Sequence, residues 1–209
     1  MIKKIIKEIR LEIRDFLVNR KERARLTNSN FSIISSDCTG GCMYHDLREQ
    51  FMSPTINMFF CATDYIKFLK KLDHYVLCEI KDAGISDEGY PRGKLDDIEL
   101  ELVHYKSVED ANIMWQRRAK RINRDNIILV FNDRNGCSIQ HIKEFDALPY
   151  KRKVCFTHVP YPDIKSVFYI PGCEEQEMIG TVTGWNGYRR RYDVFDYVHF
   201  INTGEIRSK

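Results

Sequence analysis

The sequence contains no apolar run approaching the roughly 18 to 20 residues that a membrane-spanning helix needs. Its charged start, Met1-Ile2-Lys3-Lys4, leads into no signal-peptide core. A cytoplasmic location is expected, with peripheral contact at the inner face of the membrane as the alternative left open. Paired cysteines are missing too: seven cysteines, an odd number scattered through apparent strands and loops, fit buried thiols in a reducing compartment better than a disulfide framework. Nor is there a large excess of one charge. The net charge is +3, but residues 1–25 hold nine Lys and Arg against four Asp and Glu, which leaves the other 184 residues slightly acidic. Such a body lacks a broad phosphate-facing patch, so no nucleic-acid partner is expected. Internal repeats and low-complexity segments are also absent.

What the chain does have is enough apolar content, 43% of 209 residues, to bury one full core. Residues 2–17 place Ile2, Ile5, Ile6, Ile9, Ile13, Phe16 and Leu17 at helical spacing, with Lys3, Lys4, Lys7, Arg10 and Arg14 around the other face. This basic amphipathic helix either packs its apolar face on its own domain or a partner subunit, or adsorbs to an anionic membrane surface. The polar stretch Asn19 to Asn30 reads as a linker, so residues 1–27 form a helix and linker ahead of a single domain over 28–209.

From Phe31 the pattern alternates. Strands are expected at Phe31–Ser35, Ile56–Phe60, Tyr75–Ile80, Ile98–His104, Ile127–Phe131 and Val154–Thr157, with a further one at Val167–Ile170. Helices are expected at Gly41–Glu49, Asp64–Leu72, Ser107 to about Ile122 and Ser138–Asp146, and a loop at Lys81–Lys94. Asp193–Ile201 reads as helix or strand. The expected fold is α/β, a three-layer α/β/α arrangement around a largely parallel, mixed sheet, preceded by the amphipathic helix.

The stretch FSIISSDCTGG, Phe31 to Gly41, carries the most chemical information. A β-prone run ends there in an acid, a thiol, a hydroxyl and two glycines, where an open α/β sheet places its ligands. Cys38 ahead of a helix start can have its acidity raised by backbone N–H groups. Alternatively Gly40 and Gly41 let an anion approach the backbone while Ser36 or Thr39 donates a hydrogen bond, or the segment is a tight βα turn with a buried thiol. Cys38, Cys42 and His45 have a C-x3-C-x2-H spacing, but no second tight pair follows, so neither metal nor cofactor is expected. His104, at the end of a predicted strand, can face the same crevice as Cys38 and act as a base or orienting partner, or it is locally bonded at a strand end. Trp115, Arg118 and Arg121 on the helix from Ser107, followed by Asn123, suit a sugar or base and a phosphate or carboxylate, or form a solvated face. Asp133 in FNDRNGC either lines the crevice or caps the Asn135-Gly136 turn. Gly184 to Arg191 joins aromatics and arginines in a loop suited to a sugar or phosphate contact.

These pieces resemble a bacterial family of unknown function whose members are often labelled exopolysaccharide or capsular polysaccharide biosynthesis proteins. The resemblance runs through FSIISSDCTGG, SPTINMFF with DYIKFLKKL, PRGKL with DIELELVHYKS, WQRRAKRIN, FNDRNGC and VCFT, over about residues 28–158, with a continuation to Ile201. It implies an α/β/α domain in surface-polysaccharide synthesis, supplies no reaction, and picks out Cys38, Gly40, Gly41, Ser53, Pro54, Asp64, His104, Lys106, Trp115, Arg118, Arg121, Asn123 and Cys137. The resulting expectation is a transferase that modifies a sugar, with an activated sugar or lipid-linked glycan as its partner. Its catalytic residues would be Cys38, His104 and Asp37, and its binding residues Ser36, Thr39, Gly40, Gly41, Trp115, Arg118, Arg121, Asn123 and Asp133. A non-catalytic nucleotide-sugar or glycan-binding module and a Cys–His hydrolase are the alternatives.

Overall fold

The computed structural model describes residues 2–209, and the side chains of all of these except residues 2–5 and 7. Strands β1 (Ser32–Ser35), β5 (Ile127–Asn132), β6 (Arg152–Thr157) and β7 (Val167–Tyr169) lie side by side in that order, all parallel, with Ser32 opposite Ile127 and Ile128 opposite Arg152. The α/β class is as the alternation predicted. Strands β2 (Lys81–Ile85), β3 (Pro91–Leu95) and β4 (Ile98–Glu101) make a separate antiparallel sheet. A short hairpin pairs β8 (Trp185–Asn186) with β9 (Arg189–Arg190).

Alternation along β1 divides the core between the two sheet faces. Ile33, with Phe31 just ahead of the strand, joins Met43, Tyr44 and Leu47 of α3 (Thr39–Leu47) and Val198, Phe200 and Ile201 of α8 (Tyr197–Thr203). Ile34 points the other way, toward Tyr65 and Phe68 of α4 (Ala62–Lys70), Trp115 of α6 (Val108–Ala119) and Phe145 of α7 (Ile139–Ala147). Helix α6 starts where Ser107 accepts a hydrogen bond from the Asp110 amide, the cap read from the sequence.

As the outermost strand of its sheet, β1 leaves backbone groups that would pair with another chain if uncovered. Side-chain hydroxyls cover them. The Ile33 amide donates to the Tyr44 hydroxyl at 2.8 Å, which in turn donates to the Phe31 carbonyl, and the Ser35 amide donates to Thr55 Oγ1 at 3.0 Å.

Four local expectations are corrected. Ile56–Phe60 is no strand: only Phe59 bridges to Glu101, because the segment wraps past the outer edge of β1. Tyr75–Ile80 begins in the short helix α5 (Leu72–Tyr75) and continues as turns, with Tyr75, Val76 and Ile80 packed into the α4 side of the core. Lys81–Lys94 is a β2–β3 hairpin, closed by a turn in which Gly89 takes φ 87°. The strand expected to reach His104 stops at Glu101, and α8 settles the ambiguity at Asp193–Ile201 as helix.

The N-terminal helix departs most from expectation. Helix α1 (Ile2–Arg14) runs through a π-helical turn, Asp15–Asn19, into α2 (Arg20–Arg25), so the first half of the presumed linker is helical. It docks by its polar side. Arg14 is fully buried and donates to Asp46 at 2.7 and 3.0 Å and to Asp193 at 2.5 and 2.9 Å, while Asn19 and the Tyr192 hydroxyl also reach Asp46. Arg25 clamps Asp196 at the start of α8. The apolar stripe, expected to pack on its own domain or a partner, turns away from its own domain: Ile6, Ile9, Ile13, Phe16 and Leu17 are all exposed.

Candidate functional site

Beside the carboxyl end of β1, a cavity of about 330 Å³ opens between α1, the first turns of α3, the loop over residues 51–57 and the turn after β4. Cys38 and His104 both line it, as do Cys42, His45 and Arg190. Cys38, Cys42 and His45 are four and three residues apart, which places them on one helical face. On the far wall, Asn57 takes the left-handed φ of 66° that asparagine tolerates, and its carbonyl accepts the His104 amide at 3.3 Å. A larger groove of about 680 Å³ runs along α1 and shares Leu11, His45 and Phe51 with this cavity. Both volumes fall in the range of small-ligand sites.

The electrostatics of the thiols differ from the sequence expectation. Burial, reinforced by the neighbouring Asp37 carboxylate, pushes the Cys38 thiol up to about 12. Cys42 is raised to about 11 by burial, which the Arg190 guanidinium only partly offsets. Both are therefore protonated thiols near neutral pH, and the helix start does not activate Cys38 because Asp37 occupies it: Asp37 Oδ1 accepts the Thr39 amide at 2.9 Å. Among the described residues, the His104 ring makes no hydrogen bond, and His45 has only a 3.8 Å approach to Asp46. No group of three or more His, Cys, Asp or Glu among the described residues is arranged to hold a metal ion.

Of the residues singled out from the sequence, Cys38, Gly41 and His104 reach the cavity. So do Cys42 and His45 of the weighed metal spacing and Arg190 of the Gly184–Arg191 loop, whereas the other predicted catalytic and binding residues do not line it. Asp37 is a corner joint, accepting from Thr39 and from Asn132 Nδ2 at 2.9 Å, and so ties β1 to β5. Ser36 and Thr39 are buried in the same turn. Gly40 is required by packing and not by a ligand: a Cβ there would meet Ile33 Cγ2 at 2.9 Å. Trp115 is sealed in the core against Phe68, so it has no face left to stack on a substrate. Arg118 donates to the Tyr105 hydroxyl at 2.8 Å and lies over the Phe51 ring, Arg121 donates to the Phe51 carbonyl, and Tyr105 donates to the Ile56 carbonyl. These two arginines brace the cavity wall from behind and do not clamp an anion inside it. Asn123 holds Asn30 and Ser32 at the opposite, amino end of β1. Asp133 accepts the Ile179 amide, the His158 amide and His158 Nδ1, which joins β5, β6 and the loop beyond β7.

Sequence reasoning passed over Leu11, Phe51 and Asn57, used His45 only to weigh a metal, and reached Arg190 only within the Gly184–Arg191 loop read as a sugar or phosphate contact. The helical spacing of Cys38, Cys42 and His45 was a usable signal, whereas nothing in the sequence joined Arg190, more than 140 positions away, to those three. Its Nη1 donates to the Thr183 carbonyl, its plane lies 3.7 Å from the Trp185 ring centre, and its buried Nε has no partner in the described structure.

A model of a domain of unknown function, DUF1919, matches residues 9–202. The chain belongs to this family. It is also 40% identical over 190 residues, 90% of this chain and 91% of the other, to an uncharacterized protein of Haemophilus influenzae strain KW20 / Rd. The DUF1919 match begins within α1, taking in its residues 9–14, and extends into α8. Among the described residues, no helix is long and apolar enough to cross a membrane.

Proposed function

We propose that this DUF1919 domain is a transferase that modifies a sugar in surface-polysaccharide synthesis, working on a phosphate-activated donor or a lipid-linked glycan. The observation that carries this reading is the pair of hollows meeting at His45, Phe51 and Leu11. Group transfer needs two substrates side by side, and the reacting atoms would meet at that junction. His104, whose ring is not bonded elsewhere among the described residues, takes the proton of an acceptor hydroxyl as the new bond forms. Arg190 faces the leaving phosphate and stabilises its charge. Cys38 contributes bulk and a weak polar contact. A protonated thiol with a pKa near 12 also weighs against the Cys–His hydrolase. The raised thiols, together with the absence of a bonded acid–base pair in the cavity among the described residues, favour a glycan-binding module as the second reading.

The test is calorimetry of the intact protein against nucleoside-diphosphate sugars and polyprenyl-phosphate sugars, followed by a product assay with the one that binds. His104→Ala is expected to keep binding while turnover falls about 100-fold or more, and Cys38→Ser to stay within a few-fold of wild type. Turnover untouched by His104→Ala would remove the base assignment. Binding with no turnover in the wild type would establish the module, and no binding of any sugar phosphate would end both readings.

A further inference from the structure

Five of the eleven large hydrophobic side chains exposed among the described residues lie on the outward face of the N-terminal helix. On an α-helix turning about 100° per residue, Ile6, Ile9 and Ile13 fall within a sector of about 60°, Phe16 and Leu17 on the π-helical turn continue the exposed stripe, and Arg14 and Val18 are buried against the domain. Phe16 is 64% exposed and the four aliphatic residues 41–51%. Folding thus uses the charged side of the helix for docking and leaves its greasy side in water, the reverse of an ordinary surface helix. An apolar stripe of this breadth, held outward by a buried ion pair, marks an interaction surface.

The charges around it select the partner. Arg14, Arg23 and Arg25 are spent on internal carboxylates, but Arg10, Arg20 and Lys21 have no ion-pair partner among the described residues, and the same helix carries Lys3, Lys4 and Lys7 in its sequence. Arg20 lies over the Phe16 ring at 5.2 Å, an aromatic beside a cation at one end of the stripe. Arg10 lies over Trp185 of the β8–β9 hairpin, whose tip adds Tyr188 and the exposed Arg189. Ile6, Ile9, Ile13 and Phe16 keep the spacing of a coiled-coil seam, but the exposed Leu17 beside them makes the stripe broader than such a seam. The exposed Glu8 and Glu12 line one margin of the apolar face, but the cations along the other margin and at its end, each beside an aromatic ring, complement an anionic bilayer interface better than a second helix.

We infer that the exposed face of α1 and the π-helical turn after it seats the protein flat on an anionic membrane, with the isoleucines and Phe16 in the headgroup region and the flanking basic residues on lipid phosphates. Leu11, on the inner side of the same helix, lines both hollows of the candidate site, and Phe16 and Arg20 also line the larger one, so that groove would border the lipid surface while the smaller cavity lies behind the helix. The inference does not require the transferase reading, since it rests on the helix alone.

The intact protein is to be sedimented with vesicles of phosphatidylcholine alone and of phosphatidylcholine with about 30% phosphatidylglycerol, which supplies the anionic surface. Binding is expected to the anionic vesicles only, weakened by salt, and reduced about ten-fold or more in Ile9→Asp/Phe16→Asp. Those side chains are exposed, so the variant should retain the wild-type melting temperature, and a further variant, Ile13→Ser, provides a milder check if it does not. Equal sedimentation with both vesicle types, or none with either, overturns the proposal. So does a concentration-dependent dimer in analytical ultracentrifugation that Ile9→Asp/Phe16→Asp makes monomeric.

Discussion

At the scale of single residues, the turn after β1 shows how one motif serves packing and a cavity at once. Gly40 lets α3 sit against β1, while Gly41, one residue on, faces the open cavity. Gly40→Ala would force its Cβ to within 2.9 Å of Ile33 Cγ2 and 3.0 Å of Ser35 Cβ, both on the sheet and unable to swing away. The expected cost is about 1–3 kcal/mol in denaturant unfolding, while Gly41→Ala, whose nearest neighbour is Ile56 at 3.5 Å, should change stability by less than about 1 kcal/mol. Similar stability losses for the two would show that packing does not distinguish them. The residue types here were legible: an acid, a thiol and glycines at a strand end. Their division of labour was not, because whether Asp37 takes the Thr39 amide or leaves it for a ligand depends on a side-chain torsion and on Asn132 from a distant strand.

At the scale of elements, the N-terminal helix is ruled by one buried guanidinium. Burial works against the charge on Arg14, but the hydrogen bonds it donates to Asp193 and Asp46 outweigh this and keep the group protonated. Replacing Arg14 by Met would leave Asp46 and Asp193 buried without their cation. A loss of about 3–5 kcal/mol is expected in urea unfolding, with faster hydrogen exchange through residues 2–25. Arg14→Lys should recover little of this, since a single ammonium cannot span both carboxylates in fork geometry. A variant as stable as wild type would mean that other contacts hold the helix. The periodicity of residues 2–17 announced this helix correctly, yet its orientation inverted the usual rule that the apolar side faces inward.

At the scale of the whole molecule, charge pairs tie the chain's ends together. Asp196 ahead of α8 accepts from Arg25 of α2 and from Arg207 near the C-terminus. Burial alone would raise its pKa, but the bonds from Arg25 and Arg207 more than offset this and lower it to about 2, below the ordinary 3.8. A carboxylate depressed in this way stabilises the fold fully above its unfolded value. That contribution should fade as pH falls from about 4 toward 2. Thermal melts of wild type between pH 6 and pH 2 are expected to drop across that window, while Asp196→Asn starts lower at pH 6 and falls less steeply. Parallel curves for the two proteins would exclude Asp196 as a source of the acid sensitivity.

The sequence by itself determined the α/β class, the parallel strands β1, β5, β6 and β7, the helices α3, α4, α6 and α7, and the amphipathic N-terminal helix, because periodicity and capping are local and survive without a partner. Only the tertiary structure decided which side of that helix is buried, that Trp115 and Arg118 serve the core and a wall, and that Arg190 joins Cys38 and His104 at one cavity. Each of those outcomes depends on which distant side chain lies opposite: Asp46 and Asp193 for Arg14, Phe68 for Trp115, Tyr105 for Arg118. A sequence pattern records what a residue is able to do, and the fold selects one of those roles by supplying the partner.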